Sequence, residues 1–519
     1  MPVSGHSFIA GVSVAGEGAT FHGIEAASGA LLQPAFHAVS PAQVEAALVA
    51  AAAAAGYLAG SAPASRAQLL EAMADRIIDL GDVLIDRAMA ETGLPRGRLA
   101  GERMRTANQL RLFARTLREG DFAGVRIDRA DPARPAGPKP DLRLVMRALG
   151  PVAVFGASNF PLAFSVAGGD TSSALAAGCP VVVKGHPAHP GTAELVAGAL
   201  CQAVADCGFP AGTFALLQDD GIGVGQALVA DTRIKAVGFT GSRRAGEALA
   251  VIAASRPEPI PVYAEMSATN PVILLPARLE EAAETIAASF VASLTLGSGQ
   301  FCTNPGLLLA IAGPDCDRFI AAVKTAIAAW APGVMLTPGI CQNFASVAEA
   351  IGAVPGVTCV AESETAPGRA GARLFTASAA TYLANRQLHA EMFGPAALLV
   401  QCADAAELAQ VLAAVEGQLT VAVHFADADH GLVRDLLPLA MDRAGRVLAN
   451  GFGTGVEVSP AMVHGGPYPA TTDSRTTSVG TLAIDRFLRP ICLQDFPEDL
   501  LPQSLTDANA WDLPRKIWE

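Results

Sequence analysis

The first part of the chain has apolar residues at helical spacing. Residues 41–60 and 63–92 repeat apolar side chains every three or four positions, which is typical of amphipathic helices. Pro63 suits the first turn of the second helix, because a helix leaves its first N–H groups unpaired. A third helix is predicted from about Leu99 to Arg118. The pattern therefore indicates a largely helical N-terminal region.

From Arg147 onward, short apolar runs alternate with helical patterns. Strands are predicted over 151–156, 180–184, 213–217 and 236–239, and helices over 162–177, 192–207 and 224–229. Short buried strands joined by helices form parallel sheets with right-handed crossovers. Ligands bind such sheets at the carboxyl ends of the strands. The polar residues at those ends are Ser158, Asn159, Lys184, His186 and the turn Thr240-Gly241-Ser242.

A second unit of the same kind follows. Its predicted strands are 270–275, 307–311, 397–400 and 421–424, and its helices are 279–294, 315–330 and 404–416. Two further stretches lie outside both units in sequence. Residues 129–140 contain four prolines and are predicted to be an extended arm, and Thr481–Ile484 is strand-like. Each segment is expected to pair within an oligomer, because an exposed, unpaired strand invites aggregation; a plain linker or a tail wrapped on its own subunit is the alternative.

Composition narrows the class of protein. The 519 residues carry 36 Lys and Arg against 49 Asp and Glu, a net charge of -13, which argues against a nucleic-acid partner. The nine cysteines include no C-x-x-C pair, which fits a reducing compartment and argues against a zinc site. No signal peptide is predicted, and the apolar run 44–55 is too short to span a bilayer. A cytoplasmic protein without a membrane partner is expected.

Cys302 lies in the glycine-rich loop Gly297-Ser-Gly-Gln-Phe-Cys-Thr-Asn-Pro-Gly306. Such a loop can present a sulfur atom to a ligand, and a thiolate is a strong nucleophile when a neighbouring group handles the proton. A buried structural thiol is the competing interpretation. The loop sequence alone does not distinguish a nucleophilic Cys302 from a structural one.

Four other stretches accompany Cys302 in a particular order. They are Ala157-Ser-Asn-Phe-Pro161, Phe239-Thr-Gly-Ser242, Val262-Tyr-Ala-Glu-Met-Ser267 and Glu391-Met-Phe-Gly-Pro395. Each is weak alone, but together, at these separations, they closely resemble the aldehyde dehydrogenase superfamily over nearly the whole chain.

The resemblance implies a fold and a division into domains. The fold is α/β, with a Rossmann-like cofactor domain, an α/β catalytic domain and a small β oligomerisation arm. The implied boundaries are 1–128 and 147–264 for the dinucleotide-binding domain, 265–460 for the catalytic domain, and 129–146 and 479–519 for the oligomerisation segments. The implied assembly is a homodimer or a dimer of dimers.

The resemblance also implies roles for individual residues. Cys302 is the nucleophile that forms a thiohemiacetal and then a thioester, Glu265 is the general base, and Asn159 is the oxyanion donor. Partial desolvation is expected to raise the pKa of Glu265. The implied cofactor-binding residues are Lys184, His186, Ser158, Gly241, Ser242, Gly225, Glu391 and Phe393. No metal is expected, since His189, His389 and His424 lack ligand spacing.

Departures from the family pattern bear on the cofactor. The common Glu-Leu-Gly-Gly-Lys motif is Glu265-Met-Ser-Ala-Thr here. NAD-preferring relatives carry a glutamate three residues after the lysine that matches Lys184, where this chain has Pro187. Loss of that carboxylate removes repulsion against a 2′-phosphate and favours NADP. Asp219 and Asp220, where an arginine would have decided the matter, leave NAD possible.

The finer resemblance concerns the substrate, an aldehyde. Segments 256–265 and His464-Gly-Gly-Pro-Tyr-Pro-Ala-Thr-Thr-Asp-Ser-Arg475 look like those of 2-oxoglutarate semialdehyde (2,5-dioxopentanoate) dehydrogenases. NADP-dependent fatty aldehyde dehydrogenases are the alternative. A non-catalytic relative is disfavoured because Cys302, Glu265 and Asn159 are all present, and a CoA-acylating enzyme because Glu265 is kept to activate water. Three helix residues are expected to form a solvated face, or else to supply one contact to a substrate carboxylate: Arg103, Arg105 and Arg111.

Overall fold

The computed structural model describes residues 2–518. Its α-helices, in chain order, are α1 (Pro41–Gly60), α2 (Pro63–Asp79), α3 (Gly81–Thr92), α4 (Arg96–Glu119), α5 (Gly169–Ala177), α6 (Pro190–Asp206), α7 (Gly223–Ala230), α8 (Arg243–Ala254), α9 (Pro276–Thr295), α10 (Pro314–Ala328), α11 (Pro338–Gly352), α12 (Ala379–Ala384), α13 (Ala405–Ala414) and α14 (His430–Arg443).

The strands form three larger sheets and two small ribbons. In chain order they are β1 (His6–Ile9), β2 (Val12–Ala15), β3 (Thr20–Ile24), β4 (Leu31–His37), β5 (Val125–Asp128), β6 (Leu142–Ala148), β7 (Val152–Phe155), β8 (Val181–Lys184), β9 (Phe214–Leu217), β10 (Ala236–Thr240), β11 (Val262–Glu265), β12 (Pro271–Leu274), β13 (Leu307–Ile311), β14 (Gly333–Val334), β15 (Thr358–Glu362), β16 (Arg369–Ala370), β17 (Arg373–Ser378), β18 (Ala396–Cys402), β19 (Gln418–His424), β20 (Ala444–Ala449), β21 (Leu488–Gln494) and β22 (Arg515–Trp518).

The first sheet has the order β11-β10-β7-β8-β9-β1-β2, and its five strands from β7 to β11 run parallel, as the sequence predicts. Successive strand residues face opposite sides. Val152 and Val154 pack with α2, α4 and α6, whereas Ala153 and Phe155 pack with α1, α7 and α8. Helices therefore cover both faces, which is why these strands are continuous apolar runs.

The second sheet has the order β15-β17-β18-β13-β12-β19-β20. Its strands are parallel except for β15, which pairs antiparallel with β17 at one edge. The strands predicted over 270–275, 307–311, 397–400 and 421–424 are all confirmed at its centre.

Three sequence predictions about individual elements are wrong. The helix expected over 63–92 is two helices, because Gly81 adopts a left-handed φ of 57° between α2 and α3. The helix expected over 162–177 starts only at Gly169, since 162–168 turns back on itself and Gly168 packs against the backbone of Phe164. The strand expected at Thr481–Ile484 is part of a 3-10 turn, Thr481–Phe487.

A small four-stranded sheet has the order β21-β6-β5-β22. Strand β21 pairs antiparallel with β6 over Leu488–Gln494, and β22 runs parallel to β5. The tail therefore pairs within its own chain, as the alternative interpretation expected, and pairing within an oligomer stays a prediction. Within residues 2–518, β21 and β22 are the two edge strands of this sheet.

Helix α1 is the most apolar of the long helices. Its 20 residues have the length and apolar composition that a membrane span needs, whereas the apolar run 44–55 is only 12 residues long. A single helix of this kind does not indicate a membrane protein, because buried core helices have the same length and composition. Val44, Ala47, Leu48 and Ala51 pack against the first sheet.

Candidate active site

The Cys302 loop is shaped by two glycines and held by one amide. Gly297 and Gly299 have φ values of 56° and 68°, and a Cβ on Gly299 would lie 2.2 Å from the carbonyl carbon of Gly394. This absence of a side chain lets the loop lie directly on the 391–395 segment. The Asn270 amide donates a 2.9 Å hydrogen bond to the carbonyl oxygen of Cys302.

Glu265 and His464 stand beside the sulfur. Glu265 ends β11 and is buried, and its Oε2 accepts a hydrogen bond of 2.7 Å from the hydroxyl of Ser478. Its Oε1 lies 2.8 Å from Nε2 of His464, and the same nitrogen lies 3.4 Å from Sγ of Cys302. The sulfur, the imidazole nitrogen and a carboxylate oxygen are all within 4.8 Å of one another.

The environment has opposite effects on the acid and the thiol. Burial acts to raise the pKa of Glu265, but His464, together with hydrogen bonds from Ser478 and Cys302, holds it below its ordinary value. The expected rise in the pKa of Glu265 is therefore wrong, because these neighbours outweigh the effect of burial. Burial, then the charges of Glu265 and Glu391, raise the pKa of the Cys302 thiol well above its usual range. The thiol consequently needs a nearby proton acceptor.

His464 is the participant that the sequence analysis missed. It was singled out only as part of a longer matching segment, 162 residues beyond Cys302. Its imidazole is 1% exposed, and its backbone N–H is held by Thr477 Oγ1 at 2.8 Å. A lone histidine in sequence carries no sign of such a contact, so only the fold could place it.

Asn159 is buried in the turn that follows β7. Its side-chain amide donates a 2.9 Å hydrogen bond to the carbonyl oxygen of Gln300, two residues before the cysteine. Its own carbonyl accepts a 2.8 Å hydrogen bond from Arg98. The expected oxyanion donor is thus tied to the Cys302 loop.

Glu391 and Phe393 line a cavity that the Cys302 loop also borders. Thr269, Gly299 and Phe301 share the same cavity. Burial raises the pKa of Glu391 to about 7, although Ser267 and the backbone N–H of Ala268 oppose the change. A carboxyl in this position can accept hydrogen bonds from hydroxyl groups of a ligand placed next to Cys302.

Lys184 and Asp219 lie together at the carboxyl ends of β8 and β9. The ammonium group of Lys184 donates to the carbonyl oxygen of Asp219 at 2.5 Å. Oδ2 of Asp219 is buried without a hydrogen-bond partner among the described residues. Burial, with His189 and Lys184, depresses the pKa of His186 well below its usual range, so that ring is neutral.

The other predicted cofactor residues surround the same edge of the sheet. Ser242 caps α8, accepting from the backbone N–H of Ala245 at 3.4 Å, and Gly241 precedes it. Gly225 lies in α7 against Phe155, where a Cβ would approach the ring to 2.9 Å, and Ser158 is half-buried in the turn before Asn159. A helix N-terminus suits a phosphate. The unpaired Asp219 oxygen and the Glu391 carboxyl supply acceptors for ribose hydroxyls, so these residues fit a nicotinamide dinucleotide.

The prediction that three arginines of α4 form a solvated face is only partly correct. Arg111 forms an exposed ion pair with Asp75 at 2.7 Å, and Arg103 donates to the carbonyl oxygen of Gly81. Arg105 is different: it is partly buried, burial lowers its pKa, and Glu102, Cys302 and Glu265 lie close enough to oppose that change. Of the three arginines, Arg105 is the one that lies near the reactive residues, and a contact between it and a substrate carboxylate stays a prediction.

Known proteins resemble this chain over most of its length. A model of the aldehyde dehydrogenase family matches residues 14–466. Alpha-ketoglutaric semialdehyde dehydrogenase 2 of Azospirillum brasilense is 52% identical over 518 residues, which are 99% of each chain. Alpha-ketoglutaric semialdehyde dehydrogenase of Acinetobacter baylyi is 47% identical over 87% of this chain and 86% of its own. A variant of aldehyde dehydrogenase C from Pseudomonas syringae, solved with NAD+ and octanal, has a TM-score of 0.80 at 20% identity, covering 95% of this chain and 97% of that one.

Proposed function

Because this chain belongs to the aldehyde dehydrogenase family, we propose that it oxidises 2-oxoglutarate semialdehyde to 2-oxoglutarate. Two relatives that share about half of their residues with it are named for that aldehyde, also called alpha-ketoglutaric semialdehyde. The observation that carries the chemistry is the juxtaposition of Cys302, Glu265 and Asn159 in one buried site. A protein that kept only the fold would have no need of all three.

The chain's own residues account for the covalent steps. The Cys302 sulfur attacks the aldehyde carbon, and the oxygen that becomes negative needs donors already in place, which the Asn159 amide and the Cys302 backbone N–H supply. The thiol proton has an acceptor within reach, the Glu265 carboxylate, which forms a hydrogen bond with Cys302. Bound NAD(P)+ supplies the hydride acceptor that converts the thiohemiacetal into a thioester.

Hydrolysis of the thioester falls to Glu265. Its lowered pKa keeps the carboxylate ionised at neutral pH, ready to take a proton from water. An ionised carboxylate requires Nε2 of His464 to carry a proton, so His464 donates to Oε1, and Ser478 donates to Oε2. These two donors fix the direction in which the carboxylate faces the sulfur.

The choice of dinucleotide depends on two features that oppose each other. Pro187 leaves no carboxylate three residues after Lys184, which allows a 2′-phosphate. The unpaired oxygen of Asp219 next to Lys184 can accept a bond from a 2′-hydroxyl and repels a 2′-phosphate. We therefore propose that the enzyme uses NADP and also accepts NAD.

We further propose that the protein is a homodimer or a dimer of dimers in a reducing compartment. Strand β22 forms an outer sheet edge with two large apolar residues, Ile517 and Trp518, each about half exposed. A second copy would cover them. The nine cysteines, all among the described residues, are free thiols, which fits a reducing compartment such as the cytoplasm.

A panel of aldehydes assayed with both dinucleotides tests the proposed substrate. 2-Oxoglutarate semialdehyde should have the highest kcat/KM, and long-chain alkanals should be poor substrates. A higher kcat/KM for dodecanal than for 2-oxoglutarate semialdehyde would replace the proposal with a fatty aldehyde dehydrogenase.

A further inference from the structure

We propose that Arg105 binds the carboxylate at the far end of the substrate, opposite the aldehyde that Cys302 attacks. The inference rests on the proposed function and identifies the residue that selects an acidic aldehyde. Arg98, about two helical turns earlier on α4, adds a second positive charge on the same face of the helix.

A continuous series of contacts leads from the sulfur to Arg105. Nε2 of His464 lies 3.4 Å from the Cys302 sulfur, and the His464 ring centre lies 5.7 Å from that of Phe164. The guanidinium carbon of Arg105 lies 4.8 Å from the centre of the Phe164 ring. Two side chains, His464 and Phe164, thus connect the nucleophile to the cation.

The guanidinium group of Arg105 is only partly used by the protein. Its Nε donates a 3.1 Å hydrogen bond to the carbonyl oxygen of Val456, which fixes the side chain. Its Nη2 is buried and has no hydrogen-bond partner among residues 2–518. Buried donors are rarely left unpaired, because the lost hydration is costly. A ligand oxygen would satisfy this donor.

No carboxylate among residues 2–518 forms an ion pair or a hydrogen bond with Arg105, although Glu102 influences it most strongly. Oε1 of Glu102 accepts the backbone N–H groups of Leu162 and Ala163, and its Oε2 faces Arg98 at 3.8 Å. Glu265 is bonded to His464 and Ser478. Glu457 is the remaining acidic group that influences Arg105, and it is exposed. Positive charge therefore remains available at the end of the site.

The side chains that pack around Phe164 are apolar. Phe160 and Phe164 meet edge to face with centres 5.2 Å apart, and Val456 and Met462 pack in the same cluster. Arg98 lies over Phe160 and Phe301 at 4.8 and 4.4 Å, adding a second cation beside these rings.

This arrangement selects a particular class of aldehyde. Apolar side chains suit a short methylene spacer, and a planar guanidinium suits a carboxylate through charge-assisted hydrogen bonds. A long alkyl chain would instead lie against an unpaired charge, which is unfavourable. The substrate class is therefore an aldehyde with a carboxylate a few carbons away.

The test compares Arg105→Met with Arg111→Met, a control on the same helix whose guanidinium pairs with exposed Asp75. Each variant is assayed with 2-oxoglutarate semialdehyde, succinic semialdehyde and uncharged pentanal. Arg105→Met should lower kcat/KM for both acidic aldehydes by roughly ten- to a hundredfold, the scale of a charged hydrogen bond, mainly through KM. Pentanal oxidation should stay unchanged or improve, and Arg111→Met should behave as wild type.

Equal losses with pentanal and the acidic aldehydes would overturn the inference, since they would indicate a structural role. So would an undiminished preference for the acidic aldehydes. Arg105→Lys is the second variant, in case the methionine disturbs folding: it keeps the charge and packing but not the planar donor pair, and it should show a smaller rise in KM for the acidic aldehydes only. A wild-type enzyme with no preference for acidic aldehydes over pentanal would instead contradict the proposed function.

Discussion

Nε2 of His464 lies 2.8 Å from Oε1 of Glu265, and both side chains are buried. This contact is a main reason why the pKa of Glu265 stays below its ordinary value despite burial. His464→Phe keeps a ring of similar size and removes the donor, so the pKa of Glu265 should rise. Because Glu265 accepts a proton only when ionised, the acidic limb of the pH–turnover profile should move to higher pH, with at least about a tenfold loss at neutral pH.

The matched control for this prediction is His389→Phe, since His389 stacks on Tyr382 outside the site. Its pH profile should match that of the wild type. If His464→Phe also keeps the wild-type acidic limb, His464 does not set the state of Glu265, and the assigned contact has no catalytic consequence.

The Asn159 amide is the expected oxyanion donor. Asn159→Ala should lower turnover by roughly 10²–10³, the usual scale for losing one such donor. Asn385→Ala, which removes an amide bonded only to the carbonyl oxygen of Thr381, is the control and should leave turnover unchanged. Steady-state kinetics at saturating aldehyde measure the effect. A loss below about fivefold would place the oxyanion site elsewhere.

Charge near Lys184 should set the dinucleotide preference. Asp219→Asn removes a carboxylate that repels a 2′-phosphate, so the ratio of NADP to NAD catalytic efficiency should rise. Pro187→Glu introduces a carboxylate and should lower the same ratio. The measurement is kcat/KM with NADP and with NAD for each variant. An unchanged NADP-to-NAD ratio in both variants would show that neither residue contacts the adenine ribose.

The assembly prediction concerns the outer edge of the small sheet. Light scattering of the full-length protein should give two or four times the chain mass of 52.9 kDa. Replacing Ile517 and Trp518 together by glutamate should lower that mass, because both apolar side chains are exposed on the edge strand. Deletion from residue 486 would be a poorer test, since it removes Arg486, the 2.7 Å ion-pair partner of buried Asp170. A full-length mass near 52.9 kDa would contradict the assembly.

The two central sheets could be predicted because their strands are apolar on both faces and separated by helices of ordinary length. The hairpin of β1 and β2 was not predicted. Its strands have only four residues each, and exposed apolar positions such as Val12 break the alternation of apolar and polar residues that identifies a strand. The segment 162–168 has helical composition, but contacts of Gly168 with the backbone around Phe164 override it. Tertiary contacts, not local preference, decided that element.

The candidate site was predictable where a residue lies in a recognisable motif. Cys302, Glu265 and Asn159 were identified in this way, and the fold brings them together. His464 and the direction of Arg105 were not, because their importance comes from neighbours far away in sequence. The sign of the pKa change at Glu265 was missed for the same reason: burial could be foreseen, but the adjacent imidazole could not.

The central claim is that aldehyde oxidation proceeds through a thioester on Cys302 that Glu265 hydrolyses. The most direct test mixes the Glu265→Gln variant with 2-oxoglutarate semialdehyde and NADP+, then measures reduced dinucleotide and maps acylation by peptide mass spectrometry. The account predicts about one reduced dinucleotide per chain, hydrolysis slowed roughly 10²–10⁴-fold, and an acyl group on the peptide containing Cys302. Cys302→Ala should form neither product. Reduced dinucleotide produced by Cys302→Ala, or an acyl group on a residue other than Cys302, would contradict the account.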